Sequence, residues 1–307
     1  MKHKLISAKV IADSVCPKGV RMTTMEIEYP RFILAELNTH RMLSKNSASS
    51  RAIPVKAMHD FIRDNPATPV SWGKNQPGMK AKEELTGPES KNAIFIWNQA
   101  KEDALHWADA LAHKLAVHKQ IANRITEPWM TMKTVISGTE WTNFFHLRNH
   151  PDAQPEIKAL AEAMTVAYTT HLPVPLKPGE WHLPYITTAT YVPTGQLQYF
   201  DENFNQLSLE DAKIISASCC AQVSYRKNDP GFTKAFKIWE QLIENDPVHA
   251  SPIEHQATPM DIDSMCRFEP DTWQPGVSHV SANSDLWSGN LRGWIQHRKL
   301  IRSEAVW

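Results

Sequence analysis

NTHRMLSKNSASSR, residues Asn38 to Arg51, sets a histidine, two arginines, a lysine and four serines in fourteen positions, directly after the apolar stretch PRFILAEL, residues 30–37. Tyr29-Pro30 opens a helix, with Pro30 suited to its first turn. Ile33 and Leu37 lie four apart and face the core, and His40 and Ser44 continue that line. The polar cluster is thus expected at the end of a helix anchored by its apolar start. Arg41 and Arg51 can each clamp a phosphate with paired N–H donors. Ser47, Ser49 and Ser50 offer short hydroxyl bonds to the same oxygens, and Asn46 can read an amide edge or cap a turn. The stretch suits an anion with several oxygens, such as a nucleotide. A solvated, serine-rich loop is the alternative.

The 307 residues suffice for one large domain or two small ones, and for a core that needs no disulfide or metal. Lys+Arg and Asp+Glu are both 33, so there is no net charge. That argues against a general nucleic-acid or membrane binder, which carries a basic excess. Cys16, Cys219, Cys220 and Cys266 form no CxxC pair and read as small buried hydrophobes in a reducing compartment. The N-terminus reads as a strand without the long apolar region of a signal peptide. No stretch approaches the roughly 18 apolar residues of a membrane span. The expectation is a cytoplasmic protein.

KLISAKVIADSV and VRMTTMEIEY, separated by CPKG, look like a strand pair. Residues 64–90 are rich in Pro, Gly and polar residues and read as a long loop, with Trp72 and Met79 as its large apolar anchors. From Glu89 to about Ile125 the pattern is helical, with Pro128 ending the segment. TEWTNFFHLRNH and PDAQPEIKALAEAMTVAYTTHL are further helices, and YITTATYV is β-like. SLEDAKIISASCCAQVSY and GFTKAFKIWEQLIEN are helical, and LRGWIQHRKLIRSEAVW reads as a basic helix. The class is α+β, helix-rich, with a small, mostly antiparallel sheet.

GxGxxG, GxxxxGK[ST], HExxH and GxSxG are all absent, so no Rossmann or P-loop cradle is expected. His249, His255 and Glu254 could be proposed as metal ligands, but a proline separates the histidines and no third ligand is obvious; no metal is expected. HKQIANRITEPW puts Arg124 next to Asn123 and near Gln120. Arg148 follows Phe144, Phe145 and Leu147, so it is partly buried and needs a partner. That partner is a ligand or an internal carboxylate such as Asp152 or Glu156.

Together these residues resemble the flavin-dependent thymidylate synthases. That family's signature, Arg-His-Arg, a spaced Ser and Asn, then Ser-x-Arg, is similar to THRMLSKNSASSR. ANRITEP, NFFHLRNHPDAQPEI and HASPIEH resemble three further family segments. HASPIEH precedes the signature in the family but comes late here, and AKIISASCCAQVSYR resembles the family's N-terminal helix. The chain therefore looks circularly permuted: one domain over residues 1–307, with the family's N-terminal part at about 205–260 and a C-terminal extension at 261–307. Permutation implies that Met1 and the region near residue 260 approach each other, within a subunit or across an interface.

The resemblance implies FAD held by His40, Arg41, Asn143, Ser251 and Glu254. It implies a pyrimidine deoxynucleoside monophosphate held by Ser49, Arg51 and Arg124, with Glu36, Thr39, Ser47 and Ser50 on its wall. It implies Arg148 as the catalytic residue, against the pyrimidine, where its charge would favour the N3-deprotonated ring. The implied reaction is methylation of dUMP using methylenetetrahydrofolate, FAD and NADPH in a homotetramer. No cysteine stands in the Pro-Cys-His setting of the other thymidylate synthase class.

There are departures. Thr39 stands where the signature's first arginine is expected, a loss of about 1–3 kcal/mol of anion binding if nothing replaces it. Ser47 replaces an acid or glutamine, Ala52 an aromatic, and Asp152 a common histidine. Arg292, Arg298 and Lys299 are candidates to supply the missing cation. A hydroxymethylase, a dCMP-acting enzyme and a catalytically silent flavin or nucleotide binder are the competing readings.

Overall fold

The computed structural model describes residues 5–226, 228–302 and 304. β1 (Ser7–Val15) and β2 (Arg21–Pro30) form the expected antiparallel hairpin. Its turn closes at Gly19, whose φ of +78° suits a residue without Cβ. β3 (Ser44–Ser47), β4 (Thr131–Gly138) and β5 (Val174–Pro175) complete a sheet of order β3-β4-β2-β1-β5, antiparallel except for the β1–β5 pair. The α+β class is as expected.

The sheet is buried on both faces, and side-chain alternation sorts the residues. Met25, Ile27 and Tyr29 of β2, with Met132 and Ile136 of β4, face Ile157, Leu160 and Met164 of a long helix, Pro155–Thr170. On the other face, Met22 joins Ile215 and Cys219 of the helix over Leu209–Gln222, together with Trp294. In chain order the helices are α1 (Leu34–Asn38), α2 (Val55–Asp64), α3 (Gly87–Asp109), α4 (Lys119–Ala122), α5 (Thr142–Arg148), α6 (Pro155–Thr170), α7 (Leu209–Gln222) and α8 (Phe232–Leu242).

Several expectations are corrected. No helix continues through the signature stretch. α1 ends at Asn38 because the Thr39 hydroxyl donates to the Glu36 carbonyl (2.7 Å) and Lys45 Nζ takes the carbonyls of His40 (2.6 Å) and Leu43 (3.0 Å). His40 therefore lies in a turn and Ser44 on a strand. The helical stretch from residue 89 breaks after a π-turn over Ala110–Lys114, then resumes in α4 and a 3-10 turn over Asn123–Trp129 that contains Pro128. β4 is an additional strand that the sequence reading did not assign.

The expected basic C-terminal helix is instead strands over Leu291–Arg292 and Trp294–Gln296 followed by a 3-10 turn over His297–Leu300. Gly293 turns the chain with φ +72°, and Trp294, Ile295, Gln296 and His297 are buried in succession, which one helix face cannot do. In the loop at 64–90, Trp72 packs edge-on against Trp97, whereas Met79 is exposed and anchors nothing. Cys16, Cys219 and Cys220 are buried as expected, but Cys266 is exposed.

A chain of hydrogen bonds crosses the interior. His182 Nδ1 meets Ser14 Oγ (2.9 Å), and His182 Nε2 meets Thr24 Oγ1 (2.8 Å). Thr24 Oγ1 meets Ser137 Oγ (2.6 Å), which meets His255 Nδ1 (2.8 Å). The last link docks a 3-10 turn over Ser251–His255 against β4 and brings HASPIEH beside β3. Met1 lies outside the described residues. The region near residue 260 meets the β1–β2 turn, where Lys18 pairs with Asp263 at 2.7 Å, at the end of β1 away from Ser7. Among the described residues no helix is long and apolar enough to cross a membrane.

Burial pushes His182 and His255 down to about 3, His182 with some help from His255. The unfolded chain, with histidines near 6.5, therefore binds more protons below that pH. Their contribution to stability is complete above about pH 6.5 and is lost as pH falls toward about 3, roughly 1 kcal/mol for each histidine by pH 5.5. Urea midpoints should accordingly drop between pH 7 and 5.5, before most carboxylates titrate. A flat midpoint over that window would contradict neutral buried imidazoles.

Candidate active site

Arg148 closes α5, and its aliphatic stem follows the buried Phe144 by one turn. Its Nε donates to His40 Nε2 at 2.8 Å and its Nη2 to Thr39 Oγ1 at 3.3 Å. His40 packs edge-on against Phe144, with centroids 4.9 Å apart. An imidazole that accepts at Nε2 carries its proton on Nδ1 and is neutral. A charged one would meet the guanidinium at a cost of about 4 kcal/mol for unit charges 4 Å apart at an effective dielectric of about 20. Burial, then Arg148 and Lys45, accordingly push His40 down to about 4.

Glu36 completes this cluster. Burial raises its carboxyl, Arg148 partly offsets that, and Glu156 adds to it. Its Oε2 is buried without a hydrogen-bond partner among the described residues. Arg148 does not form the internal ion pair considered above. The Glu156 carboxylate accepts from Val70 N (2.7 Å) and from Gln154 Nε2, while Asp152 lies 3.7 Å from His150.

A second group lines a cavity of about 480 Å3 between β3, the end of α7, α8 and the Ser251–His255 turn. Strand alternation half-exposes Lys45 and Ser47 and buries Ser44 and Asn46. Lys45, Ser47, Gln222, Tyr225, His249 and Ser251 are on the cavity wall. Ser47 Oγ is held by Thr134 Oγ1 (2.8 Å), which also meets Tyr29 Oη (2.9 Å). Burial pushes Lys45 down to about 8 against the opposing pull of Glu254. Glu254 is itself paired with Arg298.

A third group is organised by Glu127. Its Oε1 accepts from Ser50 Oγ (2.7 Å) and Arg124 Nη1 (2.9 Å), and Arg31 Nη2 lies 3.0 Å away. Asn123 donates to the carbonyls of Ser50 (2.7 Å) and Ile53 (3.0 Å), which fixes the loop carrying Ser49 and Arg51. Ser49 Oγ accepts from Arg51 N at 3.3 Å, and the Arg51 side chain is exposed. Arg41 and Asn143 are exposed and make no side-chain hydrogen bond among the described residues. No group of three or more His, Cys, Asp or Glu is gathered for a metal among those residues.

The structure brings Glu36, Thr39, His40 and Arg148 into one cluster and sets Ser47 and Ser251 on one cavity, whereas the sequence reading assigned His40 and Ser251 to the cofactor and Glu36, Thr39, Ser47 and Arg148 to the nucleotide. It missed Lys45, Arg31, Glu127, Gln222 and Tyr225. Lys45 stands inside the signature stretch, where strand alternation would have placed it beside Ser47; Arg31 and Glu127 carry no local signal.

The chain belongs to the thymidylate synthase complementing protein family, whose model matches residues 20–174. No curated protein matches it. Among solved structures, it is similar to a UMP/dUMP methylase PolB from Streptomyces cacaoi bound with 5-Br UMP, at 15% identity over 54% of this chain and 89% of that one, with a TM-score of 0.44. It is also similar to thymidylate synthase X (ThyX) from Helicobacter pylori with FAD and dUMP, at 18% identity over 48% and 67% of the two chains, with a TM-score of 0.35.

The Arg148 charge is one cause of the low His40 value. Arg148→Ala should raise the His40 titration midpoint, read from imidazole proton shifts. An unchanged midpoint would contradict the contact.

Proposed function

We propose that the protein transfers a one-carbon unit from methylenetetrahydrofolate to C5 of dUMP, with reduction by NADPH through FAD, giving dTMP. Family membership supports the class of reaction. The observation that carries the reading is Arg148, a guanidinium at the end of α5 that donates to an imidazole and a hydroxyl and, among the described residues, makes no hydrogen bond or ion pair to a carboxylate, with the Glu36 carboxyl nearby. Such a cation keeps its charge for a ligand. Placed against uracil, it stabilises the N3-deprotonated ring and makes C5 more electron-rich.

The residues fit a flavin nucleotide. The cavity beside β3 offers an ammonium at Lys45, hydroxyls at Ser47, Tyr225 and Ser251, and an amide at Gln222. FAD, when bound, supplies carriage of the one-carbon unit and of the hydride. In this reading Ser251, on that cavity wall, holds it together with His40, Arg41, Asn143 and Glu254, which lie outside the wall. Ser49, Ser50, Arg51 and Arg124 hold the nucleotide phosphate and sugar, and Glu36, Thr39 and Ser47 line the base and sugar. Glu127 keeps Arg124 and Ser50 oriented before the anion arrives.

The proposal extends to the chain as a whole: one cytoplasmic domain over 1–307, with residues 205–260 in place of the family's N-terminal part and 261–307 as an extension. It also extends to a homotetramer. The exposed Phe95, Ile96, Trp107, Ile121 and Val166 supply apolar surface that such an assembly would cover. Light scattering is expected to give four chains; a monomer that turns over would contradict the assembly.

The purified protein should show a flavin absorption spectrum that NADPH bleaches anaerobically, faster with dUMP present. Product mass distinguishes dTMP from a hydroxymethylated or cytosine product. Arg148→Ala should keep flavin and lose turnover by about a hundredfold or more. Turnover like the wild type would remove Arg148 from the mechanism.

A further inference from the structure

We propose that Arg298 is a positioning residue of the cofactor cavity, holding the Glu254 carboxylate in place, and that the C-terminal segment carrying it is a working part of the site. The inference rests on the functional reading above. Three cations of residues 291–299 could stand in for the arginine missing at Thr39. Their partners separate them. Arg292 Nε donates to Glu140 Oε1 at 2.7 Å, with Asp285 Oδ1 4.0 Å from its Nη1. Lys299 is paired with Glu304. Arg298 reaches in two directions, with Nη1 on Glu254 and Nε on Glu304.

Main-chain and amide contacts set the position of Arg298. Gln296 Nε2 donates to the Glu254 carbonyl at 2.9 Å and to Asn290 Oδ1 at 3.1 Å. Asn290 Nδ2 in turn donates to the Met42 carbonyl and to Ser44 Oγ, both at 3.1 Å. His297 N donates to the Gln256 carbonyl at 2.9 Å, and its Nδ1 meets Gln256 Oε1 at 2.6 Å. Residues 290–298 are thus tied both to the signature stretch at 42–44 and to the turn at 254–256. An exposed ion pair alone contributes little. This one is half-buried on both sides, with side-chain exposures of 32% for Arg298 and 20% for Glu254.

The consequence concerns Lys45. Its ammonium holds the carbonyls of His40 and Leu43, and so the turn that presents His40 and Arg41. Glu254 already acts on it electrostatically. With Arg298 in place, Glu254 is occupied and Lys45 keeps the turn. Without Arg298, the half-buried carboxylate turns to Lys45 as its partner and draws it off those carbonyls. Arg298 thereby orders the FAD-facing turn without itself touching the reacting atoms.

The test uses the full chain and measures FAD affinity by flavin fluorescence, alongside the melting temperature, for wild type, Arg298→Ala and Arg298→Lys. The expected result is an FAD dissociation constant about tenfold higher for Arg298→Ala, largely restored by Arg298→Lys, at similar melting temperatures. If wild type binds FAD and Arg298→Ala binds it equally well, the inference is overturned alone. It is overturned also if affinity falls only in step with melting temperature and lysine restores nothing. A wild type that binds no FAD overturns the functional reading and this inference with it.

Discussion

The buried hydrogen-bond chain from Ser14 through His182, Thr24 and Ser137 to His255 joins three neighbouring strands of the sheet to a turn more than a hundred residues further along the chain. Each hydroxyl and imidazole in it is removed from water, so each must find its partner inside the fold or forfeit the cost of desolvation. That requirement holds the Ser251–His255 turn at one place against β4. With the turn held there, Ser251 faces the cavity beside β3, and Glu254 pairs with Arg298 and acts electrostatically on Lys45. Burial keeps both imidazoles of the chain neutral near pH 7, which ties the docking of the turn to the protonation of groups some distance from the site.

The cations of the site are held in different ways. Arg124 and Arg31 share Glu127, and Arg298 is divided between Glu254 and Glu304. Lys45 and Arg148 are held by carbonyls, a hydroxyl and a neutral ring. The first kind supplies rigidity. The second leaves the Lys45 ammonium at a cavity wall and the Arg148 guanidinium beside Glu36 without an ion-pair contact to a carboxylate among the described residues, which suits a site that receives anionic nucleotides. The protein as a whole has no net charge, so this positive character is local.

Much of the fold was legible. The β1–β2 hairpin and helices α5, α6, α7 and α8 follow from the residue pattern, with Pro155 opening α6, Ser208 capping α7 and Gly231 preceding α8. β4 was not legible: it follows Trp129 with hardly a break, and seven of its eight residues are buried, so it shows little of the alternation that marks a half-exposed strand. The C-terminal segment deceived for a related reason, since its basic residues suggested an amphipathic helix while Gly293 and the run of buried residues after it belong to strands. Within the site, Arg148 beside Phe144 announced a partly buried arginine in need of a partner, and the structure half-buries it against His40 and Thr39. The partner's identity depended on the turn at residues 39–43, which side-chain bonds to backbone carbonyls create and helical periodicity cannot foresee.

The central claim is that the Arg148 cluster acts on a pyrimidine together with a flavin held at the cavity beside β3. Tritium release from C5-labelled dUMP tests it most directly, with purified protein, FAD, NADPH and methylenetetrahydrofolate. The account predicts release of the label that requires NADPH and methylenetetrahydrofolate. A protein that binds FAD and dUMP yet leaves the C5 label in place would contradict it.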